Sequence, residues 1–210
     1  MRIVAAAACV IVTACYHWAE VTTTWNGRGR RPITFEHVVT IFATSDEPLR
    51  RAMENQLAGY FPNGVASHRV LGPISPDDIS AVRFAFDDDR FDSAIIMTVV
   101  RADSQPTSFL TVLPRTRHPF PEQTFAEQWR RVWTPPFDPA FVPARRLIAV
   151  ELQVYSLSND RLVWAGRGDV GDAKTLLQLG NAAARNLTRE LAREGLIALE
   201  PGTSDTRNGE

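Results

Sequence analysis

The stretch Asp92-Ser93-Ala94-Ile95-Ile96-Met97-Thr98-Val99-Val100 decides the fold, because it is the most continuous apolar run in the body of the chain. A strand with one wet face alternates apolar and polar residues, and this one does not. Both of its faces must be covered, as in a parallel sheet with helices above and below. Upstream, Val38-Val39-Thr40-Ile41-Phe42-Ala43 is a β-branched run of the same kind. Two amphipathic segments lie between them. The first opens at Ser45, read as an N-cap, with Asp46 and Glu47 complementing the positive end of the helix dipole and Pro48 tolerated in the first turn. Leu49, Met53, Leu57 and Tyr60 then make one apolar stripe, which Pro62-Asn63-Gly64 terminates. A weaker strand is expected over Val65 to Leu71, and a second helix from Ser75-Pro76-Asp77-Asp78 with Ile79, Val82 and Phe86 inward.

Strand, helix, strand, helix, strand in succession predicts a parallel sheet with right-handed crossovers. After it the pattern changes. Ile148, Val150, Leu152 and Val154 alternate with the polar Glu151 and Gln153, which predicts a strand with one wet face. Ser158-Asn159-Asp160 turns the chain and Leu162-Val163-Trp164-Ala165 returns it, an antiparallel hairpin. A long helix from Ala173 to Arg193 closes the chain, with Leu176, Leu179, Ala183, Leu187 and Leu191 inward and Gly195 as C-cap. The expected fold class is α/β, a three-layer mixed sheet with a βαβαβ start, an antiparallel hairpin and a long C-terminal helix. It occupies residues 37–200, followed by a disordered tail at 201–210.

The composition suits such a domain: 210 residues, 44% hydrophobic and 22% charged. A formal net charge of −1 gives no electrostatic footprint for nucleic acid. Both cysteines, Cys9 and Cys15, fall at the N-terminus, so no disulfide and no cysteine-based metal site is expected in the body.

Residues 1–14 read as a secretory signal: Arg2, an apolar run from Ile3 to Val12, then Thr13-Ala14. The run is too short to cross a bilayer, which needs about 20 residues. Val12-Thr13-Ala14-Cys15 resembles the lipobox of bacterial lipoproteins, an aliphatic residue and two small ones before a cysteine. That resemblance implies cleavage before Cys15, a thioether-linked diacylglycerol on it and acylation of the new amine. It also implies outer-membrane attachment facing the periplasm, since Tyr16 stands where an Asp would retain the protein in the inner membrane. Residues 15–36, with Asn26-Gly27-Arg28-Gly29-Arg30-Arg31-Pro32, read as the lipidated tether. Its arginines are solvated or touch anionic headgroups.

The element order resembles the periplasmic domain of several envelope lipoproteins. It is similar to the penicillin-binding-protein activator lipoproteins, the curli-secretion lipoprotein, the N-terminal domain of the Tol-system periplasmic protein, and envelope lipoproteins of unassigned activity. The residues that carry this are Asp92 to Ile96, Leu162-Val163-Trp164-Ala165-Gly166 and the terminal helix.

The Pro/aromatic-rich insertion at 114–143 holds seven of the chain's 14 prolines. Connections of such length are usually functional or disordered. Within it, Thr124-Phe125-Ala126-Glu127 matches a capping box, and Phe125, Trp129 and Trp133 recur every four residues beside Arg130 and Arg131. Aromatic and Arg side chains together make interface hot spots, so Phe125, Trp129, Arg130 and Trp133 are candidate partner-binding residues. The alternative is a helix that buries its rings against the sheet.

Other motifs are weaker. Gly166-Arg167-Gly168-Asp169-Val170-Gly171 matches a dinucleotide fingerprint but lacks the following strand with its ribose-binding acid, so its glycines read as a strand exit. Arg167-Gly168-Asp169 is the integrin tripeptide, a chance match in a periplasm-facing protein. Asp87-Asp88-Asp89 with Asp92 lacks EF-hand spacing. His17, His37, His68 and His118 lack metal spacing, and there is no G-x-S-x-G elbow. Arg185, Arg189 and Arg193 make a basic stripe on the last helix, read as its solvent face. No catalytic residue, cofactor or metal is expected. The reading is a lipid-anchored, non-enzymatic envelope protein that docks an envelope protein or glycan. Its rivals are a subunit of an oligomeric envelope or secretion assembly and an envelope hydrolase.

Overall fold

The computed structural model describes residues 21–26, 35–61, 63–72, 74–101, 124–133, 148–170 and 176–197. Eleven elements follow one another there: β1 (Val21–Asn26), β2 (Val38–Phe42), α1 (Glu47–Ala58), β3 (Gly64–Ala66), α2 (Ser67–Leu71), α3 (Ile79–Asp88), β4 (Ser93–Arg101), α4 (Phe125–Val132), β5 (Ile148–Ser156), β6 (Arg161–Val170) and α5 (Leu176–Arg193). The strands form one sheet in the order β1-β6-β5-β4-β2-β3. β3 and β4 flank β2 in parallel, while β5, β6 and β1 add in antiparallel succession beyond β4. The protein is thus α/β with a mixed sheet. The continuous apolar run Ser93–Val100 lies in β4, which has β2 on one side and β5 on the other.

Side-chain alternation along the strands divides the interior into two halves. Val38, Phe42, Ile95, Met97, Val150, Leu152, Val154 and Trp164 pack with Met53 and Leu57 of α1 and with Ala183, Leu187 and Leu191 of α5. Val39, Ile41, Ala94, Ile96, Tyr155, Leu162 and Ala165 face Leu71, Val82, Phe86, Phe125, Trp129 and Val132 of α2, α3 and α4. The strand is covered on both faces, hence its lack of alternation. Between the pairs Val154↔Trp164 and Tyr155↔Leu162 the register slips by one residue of β6, so that Trp164 and Leu162 lie on opposite faces.

The helices start where local chemistry places them. Asp46, one residue after the expected cap, accepts from the Leu49 N–H, and Asp78 caps α3 through the Ala81 N–H. Gly195, at φ +70°, follows α5, and the Leu196 N–H closes back on the Leu191 carbonyl.

Three expectations are corrected. Val21–Asn26, read as part of the 15–36 tether, is the strand β1, because it pairs along β6 from Val21↔Gly168 to Asn26↔Trp164. Val65–Leu71, read as one strand, is the three-residue β3 followed by the short helix α2, whose first turn a carboxylate from α1 caps. Gln153 is not on a wet face. It is 2% exposed beneath the α3 and α4 layer, where its Nε2 donates to Glu151 and its Oε1 accepts from the Tyr155 hydroxyl. Residues 1–20, 198–210 and most of 114–143 lie outside the described residues.

Candidate functional site

The aromatic helix of the insertion is built from its first residue. The Thr124 hydroxyl accepts from the Glu127 N–H and the Glu127 carboxylate accepts from the Thr124 N–H, so the capping box forms in full. Asp160, in the β5–β6 turn, adds a longer-range cap: its Oδ1 accepts from the Phe125 N–H while its Oδ2 pairs with Arg83 at 2.9 Å. One carboxylate therefore fastens α4 to both the hairpin and α3.

Held in this way, α4 turns its rings inward. Phe125 and Trp129 are both 0% exposed. Phe86, Phe125 and Trp129 stand 5.7 to 6.1 Å apart, Tyr155 is 5.9 Å from Phe125, and the Trp129 indole donates to the Pro76 carbonyl. Tilted and edge-on contacts at these separations are those of a packed aromatic core. This corrects the docking reading of Phe125 and Trp129. Their four-residue spacing marks the buried stripe, and a ring with no exposure cannot anchor a partner. Arg130 and Arg131 are exposed on the outer face. Trp133 is half-buried, 5.7 Å from Trp129, with the Arg50 guanidinium 5.9 Å above its ring. Arg50 in turn grips Glu47 through two hydrogen bonds of 2.7 and 2.9 Å. Hydrogen bonds from Arg50 and Arg51 bring the Glu47 carboxyl from 4.5 down to about 2. Cys15 lies outside the described residues.

The structure also assembles a group that no motif announced. Glu54 of α1 is 0% exposed. It accepts from the Phe42 N–H at 3.3 Å, the Ser67 hydroxyl at 2.7 Å and the His68 N–H at 2.9 Å, and its Oε2 lies 2.8 Å from His68 Nδ1. The Thr40 hydroxyl donates to the Glu54 carbonyl. A buried carboxylate persists only where its lone pairs are used. Here the partners come from two elements, the end of β2 through Phe42 and the start of α2 through Ser67 and His68. The arrangement ties α1 to the β2–α2 corner. Its sequence signal was a charged residue set between Met53 and Leu57 of the inward stripe.

The remaining motifs fall into structural roles. Gly166 and Gly168 are inside β6, paired with Leu152 and Val150, so they are no strand exit. A Cβ on Gly166 would collide with the Trp164 indole, which explains the glycine. Asp92 accepts from the Glu36 and His37 N–H groups and from the Ser93 hydroxyl, while Asp87, Asp88 and Asp89 are exposed. Arg185, Arg189 and Arg193 are exposed on α5. Among the described residues no three His, Cys, Asp or Glu side chains gather as metal ligands, and no helix is long and apolar enough to cross a membrane.

Two solved PelC structures are similar to this chain. The PelC dodecamer from Paraburkholderia phytofirmans is 11% identical, with a TM-score of 0.41 over 80% of this chain and 94% of that one. A point variant of that dodecamer, also 11% identical, gives a TM-score of 0.43 over 81% of this chain and 96% of that one. No protein-family model matches the chain, and no curated protein does.

Proposed function

We propose that this is a lipid-anchored cell-envelope protein whose α/β domain has a non-enzymatic binding or scaffolding role. The observation that supports it is the run Val12-Thr13-Ala14-Cys15 behind a charged start and an apolar segment. A residue carrying several acyl chains is held at a membrane nearly irreversibly, since each buried methylene contributes about 0.8 kcal/mol. The anchor supplies location and the domain supplies recognition of an envelope component. The test is the intact mass of the protein from membranes beside that of a Cys15→Ala variant. A chain starting at Cys15 with acyl mass, lost in the variant, is the expected result; an unmodified Met1 chain in the membrane fraction defeats the reading.

A second reading, a subunit of an oligomeric envelope assembly, is favoured by the edge of the sheet. β1 is the terminal strand, and Val21-Thr22-Thr23-Thr24-Trp25-Asn26 contains no charge and no proline. Edge strands that must stay single usually carry such guards. Sedimentation of the Cys15→Ala chain as a monomer at all concentrations removes this reading.

A further inference from the structure

We propose that the corner of the domain made by the start of β1, the end of β6 and the first turn of α5 rests on the lipid bilayer. The acidic end of α3 then points away from it. The inference rests on acylation of Cys15 and adds to it a fixed orientation.

Reach and direction together set the orientation. Six residue steps separate Cys15 from Val21. A chain spans at most about 3.6 Å per residue, so Val21 stands within about 20 Å of the acylated residue. Had residues 15–36 been a free tether the domain could stand anywhere up to about 75 Å from the acylated residue, and orientation would be lost. Because Val21–Asn26 is bound into the sheet instead, the anchor is attached to one place on a rigid body.

That place follows from the register. Val21 pairs with Gly168, two residues short of the end of β6. β6 is antiparallel to β5 and β5 to β4, so β6 ends at the same end of the sheet as β4 and β2. α5 begins there too, since Leu176 follows β6 by a few residues and Gly180 lies against Met53 in the middle of α1. Leu177, 42% exposed, is in its first turn. The other end of the sheet carries the start of β4 and the end of α3, with Asp87, Asp88 and Asp89 exposed. Ten residues of β6 separate the two ends by about 33 Å. The short attachment therefore brings an apolar side chain to the bilayer and holds three carboxylates off an anionic surface, where like charge would repel them. It also gives the arginine-bearing stretch 28–31 a direction: β1 leaves the anchor corner and ends at Asn26 opposite Trp164, so the chain enters 27–34 from the membrane-distal side.

Cys9 and Cys15 are the chain's two cysteines, the first leaving with the signal and the second blocked by lipid, so one added cysteine carries a fluorophore alone. Full-length acylated protein bearing Gln178→Cys or Asp88→Cys is placed in phosphatidylethanolamine–phosphatidylglycerol vesicles that contain a headgroup spin-labelled lipid. Quenching at least about threefold stronger at position 178 than at 88 is expected, and inserting about 20 Gly/Ser residues between Ala19 and Glu20 erases the difference. Equal quenching, stronger quenching at 88, or none at either position overturns the orientation while the acyl mass is present. Absence of acyl mass instead overturns the lipidation reading itself, and the proposal with it.

Discussion

Replacing Glu54 by Ala removes the acceptor from four donors at once. Two are backbone N–H groups, of Phe42 and His68, which have no rotamer with which to seek water; the others are the Ser67 hydroxyl and His68 Nδ1. A buried donor left without an acceptor costs about 1–3 kcal/mol. Relaxation keeps these penalties from adding in full, so the expected total is about 3–5 kcal/mol. Against a stability of about 5–15 kcal/mol this is a large share. It corresponds to a fall of about 10 °C or more in Tm for a domain of this size. Chemical denaturation of the Cys15→Ala chain with and without Glu54→Ala measures it, since the midpoint shifts at constant slope if only stability changes. Ser67→Ala, which deletes one hydroxyl and leaves the other donors served, is expected to lose about 1 kcal/mol. A Glu54→Ala loss below about 1 kcal/mol refutes the view that this carboxylate fastens α1 to the corner.

Trp129→Ala is expected to cost about 3–5 kcal/mol as a core truncation, and Arg130→Ala to stay within about 0.5 kcal/mol; thermal melts of the two variants that match each other contradict the burial of α4. Gly64→Ala brings a Cβ against the Ala58 carbonyl, a backbone group that cannot move aside, whereas in Gly180→Ala the Cβ meets the flexible end of Met53. Gly64→Ala is therefore the more destabilising of the two by urea titration, and the reverse order defeats the reasoning. Glu47 has a folded pKa lowered from 4.5 to about 2, through hydrogen bonds from Arg50 first and Arg51 second. Its contribution is full above pH 4.5 and is lost as pH falls toward 2. Its side chain is 46% exposed, so the contribution is held below about 1 kcal/mol. Acid titration of stability in Glu47→Gln is expected to show a smaller loss between these limits, and identical acid profiles dispose of the effect.

Elements whose cause is local were legible in the sequence. The stripes of α1 and α3, the capping box at Thr124, the hairpin of β5 and β6 and the Gly195 terminus follow from residues within a few positions of one another. What escaped depends on partners far along the chain. Val21-Thr22-Thr23-Thr24-Trp25-Asn26 has no apolar alternation of its own and becomes a strand because β6 offers an edge to it. Residues 67–71 turn helical where Glu54, on another helix, accepts from the Ser67 hydroxyl and the His68 N–H at the start of α2. Gln153 reads as solvent-facing until a helix from the insertion covers it. The aromatic helix shows the same limit from the other side: its spacing predicted one ring-bearing face, but only the Asp160 and Thr124 caps decide that this face turns toward Phe86 and Tyr155. The Glu54 cluster is built from three elements, and the one linear sign of it is a charged residue beside the inward stripe of α1, which names none of its partners.

The pairing of β1 with β6 also orders events in time. The first strand to leave a ribosome or a secretion channel is the one whose partner is made nearly last, so Val21 waits for Gly168 while everything between them is synthesised. Non-local pairing of this kind slows folding, because loop closure comes before any contact repays it. The sheet therefore completes only after the whole body has been delivered, and a product truncated before β6 leaves Val21–Asn26 without its partner strand, a species prone to aggregate.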